Sequence, residues 1–192
     1  MLLFLLVSSL LQAKFIYKDE IINLDKFTPL VETIGQELFE KTGISLYLMN
    51  IKAVENEILI KTEQRVSQNL NKPFVLLSLS IGETEQGKVD IYASPEILYT
   101  FDKDQVLSPY PWSGTIIPII TSKIKGDVRE KYGAAMLNGY ADIAEQIADS
   151  YNIELESALG NSNKYTINVF RAIFYGVLIF ALSYWLYRRF IK

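Results

Sequence analysis

The sequence predicts an exported α/β domain followed by one C-terminal transmembrane helix. Helical patterns alternate with short apolar runs up to residue 93, which is typical of the α/β class. One of these runs, at residues 74–81, reads FVLLSLSI and suits a strand that is buried on both faces. A third observation predicts the membrane span: residues 167–187 contain one charge, Arg171, and a helix of that length crosses about 30 Å of hydrocarbon.

The first predicted helix covers residues 25–42. Apolar side chains recur there at the spacing of one helix face, and Gly43 follows where helices commonly end. The apolar face comprises Phe27, Leu30, Ile34 and Leu38. Residues 14–24 form a lead-in that we expect either to add an edge strand or to pack over the core.

A strand is predicted at residues 44–51 and a second helix at 54–70, with Glu63 directed to solvent. The stripe of this helix comprises Val54, Ile58, Thr62, Val66 and Leu70. Beyond the apolar strand, residues 89–93 alternate apolar and polar side chains, which predicts a hairpin.

Residues 95–118 break this pattern, and the prolines, aromatics and glycine of residues 108–115 predict no regular element there. Residues 116–125 begin a helix. A long helix is predicted at 127–151, with Asp127 at its start. Its stripe comprises Val128, Tyr132, Met136, Tyr140, Ile143, Ile147 and Tyr151. Many glycines and alanines make this helix slim, so we expect it to pack closely against a neighbour.

The two ends of the chain predict its topology. Residues 1–13 resemble a secretory signal peptide, with an uncleaved amphipathic start as the alternative. The exported domain then covers residues 14–160, the linker 161–166, the span 167–187 and a basic cytoplasmic tail 188–192. A buried core helix is the alternative for the span.

Four residues mark the ends of the predicted span. Arg171 lies one turn inside its first end, and aromatic and basic residues close the other end, as is common at membrane interfaces. The second group includes Trp185, Arg188 and Arg189. Basic tails stay in the cytoplasm, so the sequence predicts a single-pass protein of the inner (plasma) membrane with its domain in the periplasm.

Composition excludes several kinds of chemistry. The chain has no cysteine and no histidine, which removes disulfides, thiolate nucleophiles, Ser-His triads and nearly all zinc sites. Residues before 165 carry 15 basic and 22 acidic side chains, a net charge of −7, against +4 for the remainder. An acidic exported domain is a poor candidate for binding nucleic acid.

The order of elements resembles the TPM-domain family over about residues 25–152. The similar patterns are VLLSLS at 75–80, VDIYAS at 89–94, and Asn138 to Tyr140 followed by Ile143 and Ile147. The resemblance implies a three-layer α/β/α sandwich around a mixed sheet. It also implies either weak acid phosphatase activity or cation binding, or an accessory role in assembly.

This chain departs from the family pattern at one point. Many members read Asp-Asn-Gly before the central strand, where this chain has Asn71, Lys72 and Pro73. The acidic residue missing at this strand end argues against an inherited metal site.

Asp102 and Asp104 are the candidate catalytic pair, because alternate carboxylates can share a Ca²⁺ or Mg²⁺ ion or place a nucleophile beside an acid. Glu83 and Glu85, in the predicted hairpin loop, would complete a metal site if they lay nearby. The alternatives are ordinary solvated carboxylates or, through the sequence DKDQV, a haloacid-dehalogenase-type phosphotransferase.

Tyr110 and Trp112, separated by proline, are the candidate partner-binding residues. They present aromatic surface on a stiff backbone, which suits a protein interface or a membrane surface. The alternative is a lid that folds back over the core.

Two functions follow. The first is a membrane-anchored accessory, assembly or scaffold protein that docks on a larger membrane protein complex and needs no cofactor. The alternative is a weak divalent-cation-dependent acid phosphatase or hydrolase of the TPM type.

Overall fold

The computed structural model describes residues 15–22, 26–52, 56–82, 87–123 and 127–157. These belong to the first of two compact units, Met1–Ala158. The second unit, Leu159–Lys192, contains the predicted linker, the span and the tail, and it lies outside the described residues together with the predicted signal peptide. Among the described residues, no helix combines the length and the apolar character that a membrane crossing requires.

Four strands form one mixed sheet in the order β1-β2-β3-β4. The strands are β1 (Ile16–Asp19), β2 (Ser45–Lys52), β3 (Phe74–Ile81) and β4 (Gly87–Ala93). The first three are parallel, and β4 returns antiparallel to β3. The α/β class and the hairpin are therefore confirmed, and the lead-in supplies an edge strand.

Helices lie on this sheet. They are α1 (Thr28–Thr42), α2 (Asn56–Ser67), α3 (Lys103–Val106), α4 (Ile117–Ile120) and α5 (Val128–Ser150), with a 3-10 helix at Pro95–Ile97. No helix or strand forms at residues 108–115, as predicted. The helix predicted from residue 116 is only one turn long.

The larger core lies between α1, α5 and one face of the sheet. Leu46 and Leu48 of β2 and Leu77 of β3 belong to it. The fully buried Tyr140 crosses it and donates a hydrogen bond to the carbonyl of Leu46 at 2.7 Å. The slim face of α5 also lets Ile116 pack closely against it, since a Cβ atom at Gly139 would lie 2.3 Å from the side chain of Ile116.

The smaller core lies on the opposite face, where Met49 and Leu76 meet Leu59 and Val66 of α2. Here the predicted stripe of α2 is wrong in part, although Val66 is buried as predicted. Ile58 is 42% exposed and Glu63 only 1% exposed, so the inward face is rotated relative to the prediction. The reason is tertiary: polar side chains of β3 and β4 lie beneath Glu63, as described below.

The ends of two other stripes also differ from the prediction. Leu30 is exposed because Val31, rather than Leu30, shares the inward face of α1 with Ile34 and Leu38. Val128 and Tyr151 are exposed because they lie at the two ends of α5, beyond the neighbouring elements. The middle of the α5 stripe is buried as predicted.

Candidate interaction surface

The segment after β4 is held by hydrogen bonds at residues that precede Asp102 and Asp104. Ser94 is buried, and its hydroxyl accepts a hydrogen bond from the amide of Phe74 at 2.9 Å. Thr100 is also buried and donates to the carbonyl of Ile97 at 2.7 Å. The chain therefore enters α3 from a fixed position.

Asp102 and Asp104 lie at the start of α3, and both are exposed. Asp102 is the N-cap: its carboxylate accepts a hydrogen bond from the amide of Gln105 at 2.9 Å. Its own amide donates to the side chain of Gln146 on α5 at 2.8 Å. We call these two acidic residues the α3 carboxylates; one caps the helix and the other faces solvent.

Lys103 lies between them in sequence, but its ammonium group is engaged on β4. The Nζ atom is 2.6 Å from a carboxylate oxygen of Asp90 and donates to the carbonyl of Ile91 at 2.7 Å. This ion pair does not neutralise the α3 carboxylates.

Residues 108–114, which we call the aromatic loop, are held against α3 by polar contacts. Gln105 donates to the carbonyl of Ser113 at 2.5 Å, and the hydroxyls of Ser108 and Ser113 are 2.7 Å apart. The carbonyl of Tyr110 accepts from the amide of Gly114 at 2.8 Å, closing a tight turn. A Cβ atom at Gly114 would lie 1.7 Å from the carbonyl oxygen of Ser108, so only glycine fits this turn.

The loop presents its two aromatic side chains to solvent. Tyr110 is 55% exposed and Trp112 is 82% exposed. Their rings stack with centroids 5.0 Å apart and an interplanar angle of 17°. They do not fold back over the core, so the lid alternative does not describe this structure.

The structure thus brings together two groups that the sequence suggested separately. The aromatic loop is bonded to α3 through Gln105, the neighbour of Asp104. In contrast, Glu83 and Glu85 lie outside the described residues. The strand ends that flank their loop, Ile81 and Gly87, lie at the other end of β4 from the segment that leads to α3.

Further apolar side chains are exposed beside the 3-10 helix and at the end of α5. Leu98 is 54% exposed and Tyr99 77% exposed. A hydrogen bond with Tyr99 raises the pKa of Tyr151, which places the two phenols together. Exposed aromatic surface therefore extends beyond the loop.

A buried carboxyl group on α2 was missed by the sequence analysis. Glu63 lies next to Ser78 and Asp90, and neither of its carboxyl oxygens makes a hydrogen bond of normal geometry. Burial raises the pKa of Glu63 to about 7, the charge of Asp90 adds to the increase, and Lys103 opposes it. The available signal was the serine pattern of β3, whose Ser78 leaves a polar position on a buried strand.

Within the described ranges, no group of three or more acidic side chains is arranged to hold a metal ion. Asp102 and Asp104 can supply two carboxylates, but no third carboxylate that the structure describes joins them in such a group.

Comparisons with known proteins identify no family. No family model matches this chain, and no curated protein matches it. A solved structure with a similar fold is the NMR structure of BA42 protein from the psychrophilic bacterium Bizionia argentinensis. The two chains share 12% sequence identity and a TM-score of 0.46 over 73% of this chain and 94% of that chain. A likeness at this level carries no implication for function.

Proposed function

We propose that this chain is a membrane-anchored accessory protein whose periplasmic domain docks on a larger membrane protein complex. The observation that carries the proposal is the exposed, stacked pair of Tyr110 and Trp112 on a loop fixed at both ends. Large aromatic side chains are enriched in protein interfaces, and a loop that is already ordered loses little entropy on binding.

The anchor is part of the same proposal. It consists of the span at residues 167–187, bounded by Arg171, Trp185, Arg188 and Arg189, all of which lie outside the described residues. The linker at residues 161–166 would tether the domain to this span, and six residues reach at most about 20 Å. Such a tether keeps the domain near the bilayer, where it meets membrane proteins.

The fold proposed for the domain is a three-layer α/β/α sandwich of the TPM type. Supporting this description, α1 and α5 cover one face of the sheet and α2 contacts the other. The accessory role fits the sequence better than catalysis does, because the chain lacks histidine, cysteine and the acidic residue that many TPM members have before the central strand.

Purification of the full-length protein in mild detergent tests the docking proposal. A partner membrane protein should be present in stoichiometric amount and should be lost when Tyr110 and Trp112 are both replaced by Ala. Tyr17→Ala is the matched control, because Tyr17 is also exposed but lies on β1, at the opposite edge of the sheet. A partner that is retained by the double variant would contradict docking through the loop.

A further inference from the structure

We infer that the aromatic loop and the α3 carboxylates form one surface that binds a cationic, arginine- or lysine-bearing segment of a partner protein. This inference rests on the proposed docking function and names the chemistry of the segment that docks. It commits to a peptide segment of a protein and not to a lipid surface.

The α3 carboxylates are physically continuous with the aromatic loop. Gln105 follows Asp104 directly and bonds the carbonyl of Ser113, one residue after Trp112. The amide of Thr115 also donates to the carbonyl of Val106, at 3.3 Å. The acidic turn and the aromatic stack are therefore parts of one small, ordered structure.

The segment that carries this surface and the part of α5 that holds it contain more acidic than basic side chains. Residues 94–122 contain three acidic side chains and one basic side chain, Lys103, which is engaged by Asp90. The part of α5 that holds α3, residues 138–150, contains three acidic side chains and no basic one. The segment that carries the exposed aromatics therefore has more acidic than basic side chains, with Lys131 of α5 donating a hydrogen bond to the carbonyl of Ser122 at its far end.

The aromatic stack and the α3 carboxylates together match a cationic side chain. A guanidinium group stacks on an indole face and forms charge-assisted hydrogen bonds with carboxylates. The Tyr110–Trp112 stack offers the aromatic face, and Asp102 and Asp104 offer exposed carboxylates nearby. An anionic bilayer would be repelled by the same charges, which disfavours lipid as the ligand.

Trp112 reports directly on this surface. The chain contains two tryptophans, so Trp185→Phe leaves Trp112 as the only indole. The full-length W185F protein in detergent is titrated with a hexa-arginine peptide, with a hexa-glutamate peptide as the charge control. We expect a saturable change in Trp112 emission with the arginine peptide alone, and an affinity that falls as salt is added.

Two charge variants make the test specific. Asp104→Asn should weaken arginine-peptide binding by roughly threefold, as for the loss of one exposed ion pair. Asp102→Asn should weaken it similarly while preserving the N-cap, since asparagine caps as well as aspartate. Glu40→Gln removes an exposed carboxylate from α1 and should leave the affinity unchanged.

Equal affinity in the two α3 variants and the wild type would overturn the inference, as would equal binding of the glutamate peptide. A response of Trp112 to phosphatidylglycerol vesicles in place of the arginine peptide would also overturn it, in favour of a lipid surface. Any of these three outcomes would leave the docking proposal intact, provided that the co-purified partner is still lost when Tyr110 and Trp112 are replaced by Ala. If the partner is retained by that double variant, the docking proposal itself is contradicted.

Discussion

At the scale of single residues, Glu63 makes the stability of the domain depend on pH near neutrality. Its pKa is raised to about 7 in the folded protein, above the ordinary value of 4.5. The folded state therefore holds the proton more tightly than the unfolded state does. The stabilising contribution is complete below about pH 4.5 and is lost as the pH rises through 7.

Glu63→Gln should remove most of this dependence. Glutamine stays neutral at every pH, so the variant should be more stable than the wild type at pH 8 by up to about 3 kcal/mol. Urea unfolding of the full-length protein between pH 5 and pH 8 measures the effect, with Glu40→Gln as the exposed control. Parallel pH profiles for the wild type and Glu63→Gln would contradict this account of the buried carboxyl.

Gly114 has a different role, because it allows the close contact with Ser108 that shapes the aromatic loop. Gly114→Ala should open the loop, lower the fluorescence anisotropy of Trp112 in the W185F background and release the docked partner. Gly43→Ala is the control: Gly43 has a left-handed φ of 74°, so alanine there should cost about 1 kcal/mol of stability without affecting the loop. Unchanged anisotropy in Gly114→Ala would show that the loop does not need this contact.

At the scale of elements, regular patterns in the sequence predicted burial well for β3 and for the middle of the α5 stripe, which are buried as expected. In β4, Ile91 is buried, whereas Val89 and Ala93 are only partly buried. In α2 the inward face includes Glu63, a residue that periodicity assigns to solvent. Ser78 of β3 and Asp90 of β4 lie next to Glu63 and explain its inward position. The local sequence of α2 does not show that these residues are close.

The contact between α3 and the aromatic loop was equally beyond prediction. Gln105 of α3 bonds the loop, and Gln146 of α5 in turn bonds Gln105. Neither amide side chain has a recognisable spacing signal in the sequence. The sequence did identify Asp102, Asp104, Tyr110 and Trp112 as residues of interest. It could not indicate that they belong to one surface.

Gln146 should hold α3 against α5, since it accepts from the amide of Asp102 and donates to the side chain of Gln105 at 2.6 Å. Gln146→Met keeps the volume but removes these bonds, at an expected cost of about 1–2 kcal/mol. Hydrogen exchange of the α3 amides should become faster, whereas Gln64→Met, on the exposed side of α2, should leave it unchanged. Unaltered protection of α3 would contradict the anchoring role.

At the scale of the whole molecule, an acidic domain precedes a basic C-terminal end. This charge asymmetry fits a protein that is held at a membrane and whose domain presents negative charge to its surroundings. Docking and cation-dependent catalysis make opposite predictions about divalent ions, because only catalysis requires the folded state to bind them.

The unfolding temperature of the full-length protein should be the same with and without Ca²⁺, Mg²⁺ or Mn²⁺. A ligand that binds only the folded state adds about 2.7 kcal/mol at 100 times its Kd, so a functional cation site would be readily detected. Differential scanning calorimetry measures this. A shift that disappears in Asp102→Asn would support the phosphatase alternative.

The most direct test of docking is photo-crosslinking from position 112 in the native membrane. A photoreactive phenylalanine derivative replaces Trp112 in the full-length chain, and Tyr17 is replaced in a parallel control. The account predicts one discrete crosslinked membrane protein from position 112 and none from position 17. Crosslinks from position 112 to lipid alone, or the same products from both positions, would contradict a docking role for the aromatic loop.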